Sequence, residues 1–210
     1  MAATSVDTPG APAAATADRL QAVFVDRDGV INENRAEHVK RWSEFRFLPG
    51  AFQALARLAR AGIKVFVVTN QSIVNRGLIS RAEMEALNRK MVGEIEQEGG
   101  RIVQIAYCPH RPDEHCECRK PRPGLLLELA QSHRLDLRKS AMIGDAIADV
   151  QAALAVGCKP ILVLTGRGES QLALASQAGI TGFDVVPDLA AATELLLGQG
   201  RAQNSSGDGA

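Results

Sequence analysis

The 210-residue sequence has no excess charge of either sign: 24 Lys+Arg stand against 24 Asp+Glu. Chains that grip nucleic acid usually carry a basic surplus, so this balance argues against a polyanion partner. No apolar run approaches the ~20 residues that a membrane-crossing helix needs, so no membrane role is expected. Internal repeats and coiled-coil heptads are absent as well, which makes a monomer the expected state. Met1 to Asp18 contains no Lys or Arg and no continuous apolar core. That stretch reads as a disordered tail (residues 1–19) and not a signal peptide, so a cytoplasmic location is expected. Cysteine is scarce, four in all, and a disulfide framework would be unusual in a cytosolic chain of this size. What is present is globular: 46% hydrophobic and 23% charged residues exclude wholesale disorder. The length suits one domain, spanning residues 20–198, with a second tail over 199–210.

Cys108, Cys116 and Cys118 crowd into one short loop (within residues 107–119) together with His110 and His115. Zinc favours four such thiolate and imidazole ligands in a closed tetrahedron, and a set drawn wholly from protein is structural. Pro109 and Pro112 stiffen the loop and lower the entropy lost on wrapping a metal. His110 is the expected imidazole, because it balances the two pairs of ligands, with His115 as the alternative. Cys158, among apolar neighbours, reads as a small buried hydrophobe.

Elsewhere strand-like and helix-like periods alternate. Ala22–Val25, Ile63–Val68, Ile102–Ala106, Ala141–Ile143, Ile161–Leu164 and Asp184–Val186 read as strands. Helices are expected from Pro49-Gly50 to Gly62, from a Ser80/Glu83 capping box to about Gly99, and from Pro123. Two more follow, over Ile147–Val156 and after Asp188. The pattern predicts an α/β fold: a doubly wound, mostly parallel sheet in which ligands bind beyond the carboxyl ends of the strands.

The residues at those ends share one chemistry. Asp26-Arg27-Asp28-Gly29 follows the first strand, Thr69-Asn70-Gln71-Ser72 the second and Gly144-Asp145 the fourth, while Arg119-Lys120 precedes the helix leading to it. Asp26, Asp28 and Asp145 form an oxygen-rich cluster suited to Mg²⁺, and their mutual repulsion calls for a cation. Thr69 and Lys120 add the hydroxyl and point charge that a phosphoryl group needs. Each piece alone is common in loops, but their joint placement points to phosphoryl chemistry.

Asp26-Arg-Asp-Gly-Val-Ile31, Thr69-Asn-Gln-Ser72, Lys120 and Gly144-Asp145-Ala-Ile-Ala-Asp149 resemble the four motifs of the haloacid dehalogenase-like phosphatases over roughly residues 20–168. The cysteine loop, running into Arg119-Lys120-Pro121, resembles the small zinc-containing branch, which includes heptose 1,7-bisphosphate and histidinol-phosphate phosphatases. The resemblance implies a Rossmann-like fold without a large cap domain, Mg²⁺ as catalytic cofactor and Zn²⁺ as structural one. It implies Asp26 as nucleophile through an aspartyl-phosphate and Asp28 as acid and base. Mg²⁺ would sit on Asp26, Asp145 and the Asp28 carbonyl, and zinc on Cys108, His110, Cys116 and Cys118. Thr69 and Lys120 would hold the phosphoryl group, Asp149 would buttress Lys120, and Asn70, Gln71, Ser72, Arg119 and Asn34 would meet a small phosphorylated sugar.

Ser72-Ile-Val-Asn-Arg76-Gly77 and Lys120-Pro-Arg-Pro-Gly124 look more like the heptose enzymes, so the C7 phosphate of D-glycero-D-manno-heptose 1,7-bisphosphate is the expected target, with histidinol phosphate as the alternative. Two departures stand out. Ala146 replaces an expected basic residue, and the loop Asn34–Lys40 lacks a Gly-Tyr pair, for which Arg35, His38 or Lys40 could compensate by meeting the second phosphate, the alternative being a solvated charged loop. A non-catalytic zinc-stapled binding module is disfavoured, because such a protein has no physical reason to keep a self-repelling acidic cluster.

Overall fold

The computed structural model describes residues 19–202, with side chains described through residue 198. The segments read as tails lie outside it, except Arg19 and the start of the second. Six strands are described: β1 (Ala22–Val25), β2 (Lys64–Asn70), β3 (Gln104–Cys108), β4 (Ser140–Gly144), β5 (Lys159–Val163) and β6 (Asp184–Val186). They form one sheet in the order β3-β2-β1-β4-β5-β6, parallel throughout. The helices are α1 (Ala51–Arg60), α2 (Arg81–Gln97), α3 (Gly124–His133), α4 (Ile147–Leu154), α5 (Gly168–Gln177) and α6 (Leu189–Ala202).

Both faces of the sheet are covered, which is why β1 reads as an unbroken apolar run and all four of its residues are buried. Its side chains alternate between two cores. Val23 and Val25 join Leu55 and Leu58 of α1 and Met91 and Ile95 of α2. Ala22 and Phe24 face the other way, onto Leu126 and Leu129 of α3 and Ala152 of α4. Each of the Val, Leu, Ile, Met and Phe side chains among them contributes about 1.5–3 kcal/mol on full burial. Local signals agree with this packing. The Ser80 hydroxyl accepts from Glu83 N while Glu83 accepts from Ser80 N, closing the capping box of α2. Asp188 Oδ1 accepts from Ala191 N at 2.8 Å at the start of α6.

Three elements differ from the sequence reading. β3 begins at Gln104 and carries Tyr107 and Cys108 at its end, so the first cysteine of the loop is fixed by the sheet. Helix α5 has no counterpart in the periodicity, because it buries only Gly168 and Ala175 and shows no stripe of large apolar residues. Helix α6 runs on to Ala202, past the point at which the second tail was drawn.

Starting from β1, the chain builds outward to β2 and β3, then returns to add β4, β5 and β6 on the other side. The order therefore reverses between β1 and β4, where doubly wound sheets bind ligands. Val25 pairs with both Val67 and Ile143, so Asp26, Thr69 and Asp145 emerge side by side at one end. Among the described residues no large cap closes over them. The connection from β1 to α1 holds a short 3₁₀ turn, Trp42–Glu44, and folds on a small aromatic cluster in which Phe47 lies 4.9 Å from Phe45 and 4.2 Å from Phe52. No described helix is long and apolar enough to cross a membrane.

Candidate active site

Asp26, directly after β1, has its Oδ1 held by Arg27 N at 2.7 Å and by Lys120 Nζ at 3.3 Å. The Lys120 ammonium is buried: it also donates to Val68 O at 2.6 Å and pairs with Asp149 Oδ1 at 2.5 Å. Burial alone would lower its pKa, but the charges of Asp149 and Asp26 prevail and hold it above the ordinary lysine range. Oxygens of Asp26, Asp145 and Asp149 lie within 4.8 Å of one another, and all three residues are buried. Burial and the nearby Asp26 charge push the Asp145 carboxyl up, against the pull of Arg167. Crowded buried carboxylates of this kind suit a hard divalent cation. Gly29, at φ 88, takes the chain past this cluster, and a Cβ there would collide with Asp145.

The carboxyl of Asp28 lies apart. The sequence grouped it with Asp26 and Asp145, but Asp149 takes that third place. Asp28 is instead held by Arg27, whose Nη2 reaches Oδ2 at 2.9 Å, by Asn32 Nδ2 at 2.8 Å and by Gln71 Nε2 at 2.7 Å. Burial would raise its pKa, yet the Arg27 charge and these hydrogen bonds hold it below the usual carboxylate range. Gln71 also donates to Thr69 Oγ1 at 3.1 Å, joining Asp28 to the expected phosphoryl-binding hydroxyl.

The other expected contacts sort by placement. Asn70 accepts from Lys120 N at 3.1 Å and donates to Lys120 O at 3.0 Å, so it pins the lysine's peptide and is not turned outward. Arg119 Nη1 donates to His110 O at 3.2 Å, bracing the cysteine loop. Ser72 is buried, and Asn34 is exposed in the loop before α1.

Within that loop the ligand atoms already outline a tetrahedron. Cys108 Sγ lies 3.5 Å from both His110 Nδ1 and Cys116 Sγ, His110 Nδ1 lies 3.2 Å from Cys118 Sγ, and the Cys116 and Cys118 sulfurs are 3.4 Å apart. Zinc bonds of about 2.3 Å to sulfur and about 2.0 Å to nitrogen require edges of roughly 3.5–3.8 Å, so the set fits a closed four-ligand site. His110 belongs to this set and His115 does not; the latter ends a 3₁₀ turn, Pro112–Glu114, at φ 48. Burial and its sulfur neighbours push the Cys108 thiol up, whereas hydrogen bonds from Cys118, Cys108 and the backbone outweigh burial and bring Cys116 down. The remaining cysteine, Cys158, is buried outside this set and donates to Ser140 O at 3.1 Å.

The sequence reading missed one segment. After β5, Thr165 Oγ1 donates to Gly29 O at 2.7 Å, and Arg167 holds Asp145 through its backbone N at 2.9 Å and its Nη2 at 3.1 Å. Gly166 lies so close that a Cβ would meet Asp145 and Gly29. The strand-end rule that located the other motifs, applied to β5, would have found it.

Buried carboxylates around a lysine at the switch point of a doubly wound sheet suit a hydrolase acting on phosphate esters. The HAD-hydrolase-like family model matches residues 117–192. The D-glycero-beta-D-manno-heptose-1,7-bisphosphate 7-phosphatase of Pseudomonas aeruginosa is 41% identical over 175 residues, covering 83% of this chain and 97% of that protein. Its Bordetella bronchiseptica counterpart is 42% identical over 179 residues, covering 85% and 98%. The solved structure of the D,D-heptose 1,7-bisphosphate phosphatase from B. bronchiseptica, complexed with magnesium and phosphate, matches with a TM-score of 0.81 at 42% identity, covering 85% of this chain and 99% of that one. A second, from Burkholderia thailandensis, matches at 0.66 and 34% identity, covering 84% and 98%. The chain belongs to the haloacid dehalogenase-like hydrolases and is a phosphatase, grouping with the relatives named for heptose bisphosphate.

Proposed function

We propose that this phosphatase removes the C7 phosphate of D-glycero-D-manno-heptose 1,7-bisphosphate, with Mg²⁺ as catalytic cofactor and Zn²⁺ as structural one. The observation that carries the chemistry is the pairing of Asp26 with a buried, charge-held Lys120 beside Asp145; the substrate rests on the relatives' names. Those relatives are named for the β anomer, which makes it the anomer to assay first.

Asp26 attacks phosphorus and becomes an aspartyl-phosphate as the P–O bond to the sugar breaks. Asp28, which must first take up a proton because Arg27 and its hydrogen bonds otherwise keep it ionised, gives that proton to the departing sugar oxygen, then takes one from the water that cleaves the intermediate. Thr69 and Lys120 hold the phosphoryl oxygens, and Asn70 keeps Lys120 in place by gripping its peptide. Gln71, Ser72, Arg119 and Asn34 would meet the sugar. Asp26, Asp145 and the Asp28 carbonyl would hold Mg²⁺, which when bound offsets charge on the phosphoryl oxygens. Cys108, His110, Cys116 and Cys118 would hold zinc and so fix the loop that presents Lys120. The same reading places the protein in the cytoplasm, where thiols stay reduced, as a monomer without nucleic-acid or membrane partners.

The test is magnesium-dependent phosphate release from both anomers of the heptose bisphosphate, with histidinol phosphate alongside. A far higher kcat/KM on the heptose bisphosphate is expected, and Asp26→Asn should abolish turnover without altering the circular dichroism. Preference for histidinol phosphate would overturn the substrate; a fully active Asp26→Asn would overturn the nucleophile.

A further inference from the structure

Arg27 is the largest side chain that the fold buries completely. A charge taken out of water costs several kcal/mol unless paired and hydrogen-bonded, and each nitrogen of this guanidinium has a partner. Nε and Nη2 reach Asp28 Oδ1 at 3.3 and 3.1 Å, and Nη2 reaches Oδ2 at 2.9 Å. Nη1 turns the other way, to Asn88 Oδ1 and Met84 Sδ, both at 3.2 Å. Met84 and Asn88 are four residues apart on α2, hence on one face of that helix. The guanidinium is therefore a rigid strut with one edge on the helix and the other on both oxygens of the Asp28 carboxyl. Asn32 and Gln71 also touch that carboxyl, but each does so from a loop.

We infer that Arg27 is a positioning residue for proton transfer: anchored on Asn88 and Met84 of α2, it sets the direction in which Asp28 meets the leaving oxygen. The inference rests on the acid role proposed for Asp28. It deepens that role by tying α2, which supplies no group to the reaction, to the first half-reaction.

The test separates positioning from folding by leaving group. A sugar alkoxide needs a proton as its P–O bond breaks, whereas 4-nitrophenolate departs without one. Rapid-quench measurement of the first turnover, in which the alcohol is released and Asp26 phosphorylated, isolates the step from later hydrolysis. Arg27→Met should slow that turnover about 10²-fold on heptose bisphosphate, within the 10²–10⁴-fold range of general acid catalysis, and by less than about 5-fold on 4-nitrophenyl phosphate. Arg27→Lys, keeping a cation, should recover part of the loss. Should Arg27→Met fail to fold, Asn88→Ala takes its place; it frees one edge of the strut and should produce the same split at a smaller size. Parallel slowing of both substrates, or no slowing of either, would overturn the inference. Asp28→Asn is the reference. If it discriminates while the Arg27 and Asn88 variants do not, Arg27 is not the strut; if Asp28→Asn itself shows no split, the acid role falls and the inference with it.

Discussion

Removing the charge of Asp149 tests whether the lysine at the centre of the site is held by its ion pairs. Lys120 has a side chain only 3% exposed, and Asp149 at 2.5 Å is its nearer carboxylate, with Asp26 at 3.3 Å. Deleting one partner of a buried pair costs about 3–5 kcal/mol, because the other charge is left uncompensated. Asp26 remains, so the lower end applies to Asp149→Asn, about 3 kcal/mol. In a chain of this size each kcal/mol shifts Tm by about 2–4 °C, so thermal melts should show a fall of roughly 6–12 °C, and kcat should fall with it as the ammonium loses its aim. Asp149 has a second duty, since its Oδ2 accepts from Ala146 N at 3.1 Å at the start of α4. Asparagine keeps that acceptor and alanine does not, so Asp149→Ala should cost about 1 kcal/mol more, the usual worth of a cap. A double variant, Asp149→Asn with Lys120→Met, should be less destabilised than the sum of the singles. A Tm for Asp149→Asn within about 2 °C of wild type, with unchanged kcat, would refute the idea that ion pairs hold Lys120 in place.

Two further outcomes are expected. Cys116→Ser should lower bound zinc, measured by elemental analysis, from one per chain to a small fraction; because Asn75 Nδ2 donates to Glu114 across the two loops, KM should rise at least several-fold, and full zinc content would contradict the ligand assignment. At the start of α2, hydrogen bonds from Ser80 hold the Glu83 carboxyl below its ordinary 4.5. That contribution is present above this pH and is lost as the pH falls through the lowered value. Ser80→Ala should therefore lower Tm by about 2–4 °C at pH 7 and by progressively less as the pH is taken down through the carboxylate range, and a drop that does not change with pH would contradict the capping role of Glu83.

The parts of the site legible in the sequence are those that sit next to a strong period. Asp26, Thr69 and Asp145 follow or end buried strands whose apolar runs are unmistakable, and the cysteine loop announces itself by composition. What was not legible depended on tertiary direction. Asn70 looked like a substrate reader because it adjoins Thr69, yet its amide closes on the Lys120 peptide, fifty residues away. Asp28 looked like a third carboxylate of the cluster because it is two residues from Asp26, yet its oxygens are taken by Arg27, Asn32 and Gln71. Thr165–Arg167 escaped notice because it follows a strand with no acidic signature, and α5 because small residues, not a stripe of leucines, seat it.

The sheet order has a bearing on how the protein is made. Asp26 is among the first residues of the domain to be synthesised, but the carboxylates it must stand beside, Asp145 and Asp149, come more than a hundred positions later, with Lys120 between. A chain still emerging from the ribosome can pair β1 with β2 and β3, yet it has no assembled site until β4 slots in on the other flank of β1. Phosphatase activity is therefore expected no earlier than the insertion of β4, and its appearance during synthesis would set the latest time for that insertion.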